Sequence, residues 1–539
     1  MKRALLIIAL VAVVALPFAL RPKKTAGQAK TDGTVVIITP HNEAIRQEYA
    51  HGFQEWYRAR TGKTVTIDWR VIGGTSEIAR FLESEYVSSF QNHWMRQLGK
   101  TWSIDVQAAF ANARLTKDAS TEAQEARKTF MASEVGCGID VFFGGGTYDF
   151  IRQADAGRIV DSGLLQLHPD WFTDAVIPQT YTGEPYWDKQ GRWLGPVLSG
   201  HGMLYNLDSL ARLGVEKPRD WSDLANPRLF SELAVCDPTK SGSIAKSFES
   251  IIQEQIYREW ARLVRETGRL KADLEKQAVA QGWVKGLQLL QLIGANARYF
   301  TDSSQKPPID VAAGNCAVGM CIDFYGRYQE QSSAERSGRQ RLGFHMPEGG
   351  TTLSPDPIAL LRGAPSRELA VAFIEYVMSL EGQKLWNFKP GTPGGPEHYA
   401  LRRLPVRRDY YAHEEWRGYR SDPEVNPYAG ETPLVYNSAW TGGLFREMSF
   451  VIRVMCIDTH GELAAAWRAL NAEGLDIATR DRALDVMSDL SAVDYEQMIS
   501  RVKVALNSKN KVDEVRLASE LADHFRRQYL RAAEIARGN

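Results

Sequence analysis

The segment from 233 to 248 constrains the fold more than any other part of the chain. Its first residues, Leu233–Cys236, form an apolar run of strand length, and a polar loop follows. From 244 to 252 apolar residues recur at the spacing of one helix face. Ser241, Gly242 and Ser243 therefore stand at a predicted helix start, where unpaired N–H groups and the helix dipole favour an anion. An ordinary serine-capped helix is the alternative for this segment taken alone.

Length and composition predict a large globular protein. The chain has 539 residues, of which 44% are hydrophobic and 24% charged, enough for two or three domains. Its 65 basic and 65 acidic residues balance, so nothing in the charge indicates a nucleic-acid partner, and we expect none. No Cys/His spacing resembles a zinc site, and no sequence feature calls for a cofactor.

The five cysteines leave the disulfide pattern open. Cys316 and Cys321 cannot pair if they share one strand, because five residues span about 17 Å and place the side chains on opposite faces. Cys137, Cys236 and Cys456 leave one possible bridge, which the sequence does not assign.

The N-terminus predicts export. Lys2 and Arg3 precede an uncharged run, Ala4–Leu20, and a basic segment follows it. A basic start before an apolar run of this length is typical of a secretory signal. Since no sharp small-x-small cleavage site and no lipid-accepting cysteine follow, an uncleaved membrane anchor is the alternative. In both cases the body of the protein lies in the periplasm or another extracytoplasmic space.

The order of strands and helices predicts an α/β fold with two lobes. Strand, helix and strand follow one another with short connections between 35 and 69, which is how an open α/β sheet begins. The predicted organisation is a signal or anchor with linker at 1–33, a first lobe at 34–195 with a helical insertion at about 84–134, a second lobe at 196–340, a return to the first lobe at 341–400, and a helical C-terminal extension at 401–539.

Four clusters of small, hydroxyl or amide residues follow predicted strands or begin predicted helices. They lie at 39–42, 144–147, 241–243 and 323–327, and they alternate between the two lobes. Loops that meet across the gap between two hinged lobes form the site of a binding protein. The candidate ligand-binding residues are Thr39, His41, Gly145, Gly146, Thr147, Ser241, Gly242, Ser243, Asp323 and Tyr325.

Familiar catalytic motifs are missing from the sequence. It contains no G-x-S-x-G elbow, no Walker loop, no complete G-x-G-x-x-G and no H-E-x-x-H. His201, between two glycines, is a candidate base, but the spacing places no nucleophile or orienting acid beside it. We therefore predict a reversible binder and no catalytic residues; a secreted enzyme built around His201 is the least favoured alternative.

Several segments together resemble the extracellular solute-binding proteins of ABC importers. They are Asp237–Ser243, Gly314–Gly326, Asp140–Gly146 and the pair Tyr205–Asn206. The resemblance covers about 34–380, interrupted by two helical insertions, and is strongest to the ferric-iron-binding branch and its relatives that take phosphorylated or phosphonate ligands. It implies a periplasmic-binding-protein type II fold, with two α/β lobes joined by crossing hinge strands. It also implies a small-molecule ligand, an ABC permease in the inner membrane as partner, and a monomer.

The resemblance implies an anion site more clearly than a metal site. In the iron-binding branch a Ser-Gly-small turn at a helix start holds an anion, and Ser241–Ser243 matches it. A histidine that ends the first strand can ligate iron there, and His41 is similarly placed. The branch also uses adjacent tyrosines, whereas Tyr325 has a phenylalanine before it and Tyr410–Tyr411 lies too far downstream.

We therefore expect a small anionic organic ligand, phosphorylated or carboxylated, and favour no metal, because Fe(III) prefers several anionic oxygen ligands. The first alternative is ferric iron bound by His41 and Tyr325. A further alternative is a membrane-tethered sensor module, in which an uncleaved anchor and the C-terminal extension contact a partner.

Overall fold

The structure is a computed structural model that describes residues 31–429, 433–508 and 510–538. The apolar run predicted to be a signal or anchor lies outside these residues. Within the described ranges, no helix is both long enough and apolar enough to cross a membrane.

The strands have the following bounds. They are β1 Gly33–Ile38, β2 Val65–Arg70, β3 Val141–Phe143, β4 Ile159–Val160, β5 Thr180–Tyr181, β6 Glu184–Pro185, β7 Leu194–Ser199, β8 His201–Asn206, β9 Leu233–Cys236, β10 Ala297–Thr301, β11 Val318–Ile322, β12 Leu342–His345, β13 Ser354–Leu361 and β14 Leu404–Pro405.

The α-helices have the following bounds. They are α1 Glu43–Thr61, α2 Thr75–Asn92, α3 Ile104–Ala109, α4 Thr121–Ala132, α5 Thr147–Ala156, α6 Leu164–Leu167, α7 Leu207–Leu213, α8 Gly242–Thr267, α9 Lys271–Asn296, α10 Lys306–Ala313, α11 Asp323–Ser337, α12 Arg367–Met378, α13 Leu380–Asn387, α14 Arg408–Ala412, α15 Ser438–Thr441, α16 Phe445–Ile452, α17 His460–Leu470, α18 Ile477–Met487, α19 Tyr495–Gln497, α20 Lys503–Leu506 and α21 Lys511–Ala536.

The first lobe is built on a mixed sheet with the strand order β14-β7-β13-β3-β1-β2, and β4 pairs with β13. β1 is parallel to β2 and β3, whereas β13 is antiparallel to β3 and β7. Alternate residues of β1 point to opposite faces: Val35 and Ile37 pack with α1, α12 and α13, and Ile38 packs with α2 and α5. Helices thus cover both faces of this sheet, as the α/β pattern predicts.

The second lobe is built on a sheet with the order β10-β9-β11-β8-β12. β9 is parallel to β10 and β11, and β8 is antiparallel to β11 and β12. β7 of the first sheet and β8 of the second are separated by Gly200 alone, and β12 and β13 make the return crossing. The predicted crossing strands are therefore present, and Ser199 and His201 flank one crossing.

The two additional helical regions pack on different lobes. The insertion around 84–134 covers one face of the first sheet, where Trp94, Phe110 and Phe130 are buried beside Phe142. From Trp440 onwards the C-terminal region shares one continuous apolar core with α8 and α9 of the second lobe. The segment predicted as a helical extension from 401 begins instead with β14, which pairs with β7. This difference arises because Leu404 and Val406 are buried in the core of the first lobe.

Local sequence patterns placed many elements correctly. α1 lies between β1 and β2 as predicted, β9 ends at Cys236 as predicted, and α8 begins directly after Ser241. The possible bridge among Cys137, Cys236 and Cys456 is not formed, since all five cysteines are free. Cys236 and Cys456 are buried in the core of the second lobe, whereas Cys137 packs against the first.

Candidate functional site

A cavity of about 280 Å³ lies where the two lobes face each other. We call it the cleft cavity. The first lobe lines it with His41, Gly73–Thr75, Glu77, Gly145 and Asp356, the second lobe with Ser241, Ser243, Asp302–Gln305 and Tyr325, and the C-terminal region with Arg403. The structure thus brings together five of the predicted site residues: His41, Gly145, Ser241, Ser243 and Tyr325.

The start of α8 supplies hydrogen-bond donors to the cleft cavity. Ser241 caps the helix, with its Oγ accepting from the Ile244 N–H at 3.4 Å. Ser243 lies in the first turn, and both serines line the cavity. Because the cap satisfies one N–H group, the other first-turn N–H groups and the positive end of the dipole remain available to an anion.

Two other helix starts approach α8 from the first lobe. A Cβ atom on Gly146, which precedes α5, would lie 3.2 Å from the Gly242 carbonyl carbon. A Cβ atom on Gly74, which precedes α2, would lie 2.2 Å from the Lys240 carbonyl oxygen. Gly145 has a φ of 121°, and a Cβ there would clash with Thr75. Glycine is therefore required for the close approach of the lobes in this arrangement.

Arg403 is the central cation of the cleft cavity. It is 1% exposed, forms an ion pair with Asp356, and donates to Ser199 Oγ at 2.6 Å. Its guanidinium also lies 4.4 Å from the ring centroid of Phe324. Burial opposes the charge of Asp356, but Arg403 holds the pKa of this carboxyl below its ordinary value. Arg403 Nε has no partner in the described chain, so the guanidinium keeps one free donor.

His41 is held beside Arg403 at the end of β1. Its Nε2 lies 3.3 Å from Arg403 Nη1 and 4.0 Å from Asp356 Oδ2. Since arginine only donates, Nε2 accepts and the proton belongs on Nδ1, which has no partner among the described residues. Burial lowers the pKa of His41, and Asp356 only partly offsets it. The imidazole is therefore neutral near pH 7 and offers an N–H donor.

The remaining predicted residues differ in their placement. Thr39 is buried outside the cleft cavity, where its hydroxyl donates to the Phe143 carbonyl at 2.6 Å and accepts from the His41 N–H. Asp323 forms an ion pair with Arg327 at 2.7 Å and does not line the cavity. Gly146, Thr147 and Gly242 line an adjoining cavity described below. Thr39 thus positions His41 rather than facing a ligand.

The carboxylates around the cleft cavity are mostly compensated. Glu77 is paired with Lys240 at 3.3 Å, across the two lobes, and Asp356 is paired with Arg403. Asp302 lies at the exposed rim. The interior therefore has hydroxyls, helix starts and free donors, which suit an anion.

Imidazole, thiol and carboxylate groups are not clustered for metal binding among the described residues. No group of three or more His, Cys, Asp or Glu side chains in these ranges could hold a metal ion. Tyr325 is the one tyrosine that lines the cleft cavity in the described chain, and burial raises its pKa. A raised pKa disfavours the tyrosinate form that Fe(III) requires.

A second cavity, of about 590 Å³, adjoins the cleft cavity, and we call it the side cavity. Ser243 and Asp356 line both. Its other walls come from α5, from β6, from His201 at the crossing, and from the C-terminal region, including Tyr436, Ser438, Gly442, Phe445, Arg446, Lys503 and Asn507. The two cavities together run from between the lobes to the C-terminal helices.

Lys246 on α8 organises a buried polar network in the side cavity. Its Nζ lies 2.7 Å from Glu184 and 2.9 Å from Glu249, and 3.2 Å from the ring centroid of Tyr436. The Tyr436 and Thr441 hydroxyls donate to Glu249 at 2.9 and 2.6 Å. Burial opposes the charge of Lys246, yet the two carboxylates hold its pKa above the ordinary value. The network joins both lobes and the C-terminal region.

Sequence reasoning missed several lining residues. Arg403 and Tyr436 lie in the region treated as an extension, where no motif marks them. Gly73–Thr75 is not among the predicted site residues, although it has the same small and hydroxyl composition as the four predicted clusters. That composition was the sequence signal that could have placed Gly73–Thr75 in the site.

Comparison with known proteins finds a family that matches part of this chain. Residues 139–401 match the model for the family described as bacterial extracellular solute-binding protein. The match confirms the predicted resemblance over these residues, and the matched family is one of binding proteins and not of enzymes. Together with the two sheets and their crossing strands, it confirms the predicted type II periplasmic-binding-protein fold class.

Individual relatives match only parts of the chain. An uncharacterized protein of Haemophilus influenzae is 27% identical over 248 residues, 46% of this chain and 60% of that protein. Phosphoglycerate transport regulatory protein PgtC of Salmonella typhimurium is 24% identical over 190 residues, 35% of this chain and 39% of PgtC. The periplasmic binding protein AfuA of Actinobacillus pleuropneumoniae, solved with fructose-6-phosphate, has a TM-score of 0.48 and 16% identity, and the match covers 81% of this chain and 98% of AfuA.

Proposed function

We propose that the protein captures a small anionic organic molecule, phosphorylated or carboxylated, between its lobes and delivers it to an ABC permease. One observation carries this proposal: Ser241 and Ser243, at the start of α8, line the same cavity as His41 and Arg403. Closure of the lobes brings these donors around one ligand. The protein then works as a monomer outside the cytoplasm, and the extracytoplasmic location agrees with the description of the matched family.

The free donors favour an anion over a cation. His41 Nδ1 and Arg403 Nε lack partners in the described chain, and the start of α8 adds N–H groups. An anion that accepts from them removes the cost of leaving buried donors unpaired. PgtC, one of the partial relatives, has a name that refers to phosphoglycerate, which is a ligand of this class.

The test is titration of the purified protein with inorganic phosphate and with citrate, followed by calorimetry. The double variant Ser241→Ala/Ser243→Ala should weaken binding by at least tenfold, since it removes two hydroxyl donors and loosens the helix start. Ser247→Ala is the matched control, because this buried serine on the same helix donates to the Ile244 carbonyl at 2.7 Å and lines neither cavity. Equal affinity for the double variant and the wild type would remove the helix start from the site.

Native mass spectrometry of the protein from its own host, together with metal analysis, identifies the ligand directly. One bound organic anion without iron supports the proposal. Stoichiometric iron would contradict the proposal and would make ferric iron the ligand.

A further inference from the structure

Arg402, the neighbour of Arg403 in the chain, lies at a contact between the two lobes. Residues 401–406 belong to the first lobe, where β14 pairs with β7 and Leu404 is buried in the core. α11 belongs to the second lobe, because it follows β11 directly and its Phe324 is buried in the core of that lobe. Contacts between Arg402 and α11 therefore join the two lobes.

Arg402 and Arg327 exchange two hydrogen bonds at this contact. Arg402 Nη1 donates to the Arg327 carbonyl at 3.1 Å, and Arg327 Nη2 donates to the Arg402 carbonyl at 3.1 Å. Arg402 also donates to the side chain of Gln331, one turn further along α11. Because the partners belong to different lobes, separation of the lobes must break all three bonds.

Two buried aspartates neutralise the two arginines. Asp422 forms an ion pair with Arg402, lies 3.6 Å from Arg327 Nε, and accepts from Asn387 of the first lobe at 3.3 Å. Asp323 pairs with Arg327 at 2.7 Å within α11. The two aspartate side chains are 1–3% exposed and the two arginine side chains 11%. Since a buried charge without its partner is costly, these four residues act as one unit, which we call the interlobe clamp.

The interlobe clamp holds the chain directly before Arg403. Arg402 has a φ of 55°, in the left-handed region that residues with a Cβ atom rarely adopt. Its side chain and its carbonyl are both bound by α11, which supports this conformation. The same helix places the ring of Phe324 4.4 Å from the Arg403 guanidinium and Tyr325 in the cleft cavity. α11 thus acts on Arg403 directly through Phe324 and indirectly through the backbone of Arg402.

We propose that Arg402 is a positioning residue: the interlobe clamp holds the lobes together and fixes Arg403 in the cleft cavity. The part that concerns Arg403 rests on the proposed function, because Arg403 is placed there in the anion site. Separation of the lobes breaks the clamp and frees the backbone at Arg402, so Arg403 loses its fixed position. The clamp therefore favours the closed form without a ligand and limits the rate at which a bound anion leaves.

The first test is small-angle scattering of the full chain without a ligand. Asp422→Asn leaves two buried guanidinium groups with one carboxylate, so the lobes should separate and the radius of gyration should rise above the wild-type value. Asp208→Asn is the matched control. Asp208 also pairs with two arginines, Arg339 and Arg341, each at 2.9 Å, but all three residues are exposed and belong to the second lobe. This control should keep the wild-type radius of gyration.

The second test follows the binding of inorganic phosphate and of citrate by stopped-flow fluorescence. Asp422→Asn should raise the dissociation rate at least tenfold and change the association rate less, because the loss of a buried charged contact acts mainly on dissociation. Asp208→Asn should change neither rate. Urea unfolding is measured in parallel, since a purely structural role of Asp422 would lower the free energy of unfolding without moving the radius of gyration or the dissociation rate.

A second variant keeps the tests decisive if Asp422→Asn does not fold. Gln331 is exposed, and Gln331→Lys places an ammonium group against the Arg402 guanidinium in place of an acceptor. The repulsion should increase the radius of gyration and raise the dissociation rate about fivefold, the size expected for an exposed charge pair. Gln329→Lys is its control, because residues two positions apart on a helix do not share a face. It should behave as the wild type in both measurements.

The outcomes separate this inference from the proposed function. Wild-type radii of gyration in folded Asp422→Asn or in Gln331→Lys would show that the clamp does not hold the lobes, and would overturn the inference while the proposed function stands. Larger radii with unchanged dissociation rates would overturn the positioning of Arg403. If neither phosphate nor citrate binds the wild type, the proposed function fails and the positioning of Arg403 fails with it, whereas larger radii in both variants would still support the clamp.

Discussion

The Lys246 ammonium lies 2.7 Å from the Glu184 carboxylate, and this contact joins α8 of the second lobe to β6 beside the first. Glu184 is 2% exposed and the second partner, Glu249, is 1% exposed. Two carboxylates are thus buried around one cation. Such a group is stable only while every member keeps its partners.

Lys246→Met should destabilise the protein by about 3–5 kcal/mol, because it leaves Glu184 and Glu249 buried without a cation. Urea unfolding measures the change. Lys240→Met is the matched control: its ion pair with Glu77 is 40% and 33% exposed, so its loss should cost less than about 1 kcal/mol. Equal costs for the two variants would mean that the buried carboxylates do not depend on Lys246.

Gly74→Ala should hold the lobes apart and weaken ligand binding at least tenfold. The backbone of Gly74 has a φ of −73°, which alanine adopts readily, but its Cβ would lie 2.2 Å from the Lys240 carbonyl oxygen of the other lobe. Small-angle scattering with saturating inorganic phosphate should give a larger radius of gyration than for the wild type. Gly418→Ala, at a position with open space around it, should change neither quantity. Wild-type affinity in Gly74→Ala would show that closure does not need this contact.

Sequence patterns predicted the fold better than they predicted the site. Leu233–Cys236 and α8 could be read from local periodicity, because strand length and helical spacing are properties of neighbouring residues. The role of Arg403 could not be predicted from local patterns, because it depends on pairing with Asp356, which is 47 residues away in the chain. Asp323 looked like a site residue from its position after β11, yet it faces Arg327. Position at a strand end does not determine the direction of a side chain.

Asp149→Asn should make the protein more stable relative to the wild type as the pH rises. Burial raises the pKa of Asp149 from 3.8 to about 6, with Arg152 only partly opposing it. The folded protein therefore holds this proton more tightly than the unfolded chain, and the wild type loses stability as the pH rises from 3.8 to about 6. The advantage of the variant should grow by about 3 kcal/mol between about pH 3 and pH 7, at 1.36 kcal/mol for each pKa unit.

Urea unfolding of wild type and Asp149→Asn at several pH values measures this difference. The titration of His201 changes the stability of both proteins in the opposite direction. Burial lowers the pKa of His201 from 6.5 to about 4, so both proteins lose stability as the pH falls through that range. The comparison at each pH cancels this contribution. A pH-independent difference between the two proteins would contradict the raised pKa of Asp149.

Ferric citrate added to the protein should produce no visible absorption from an iron–tyrosinate complex. Burial raises the pKa of Tyr325, and no second tyrosine lines the cleft cavity within the described chain, so the anionic oxygens that Fe(III) prefers are too few. Absorption spectra and metal analysis after gel filtration check this expectation, with Tyr325→Phe and His41→Ala in parallel. A band that appears in the wild type and disappears in Tyr325→Phe would establish the ferric alternative, with Tyr325 as a ligand.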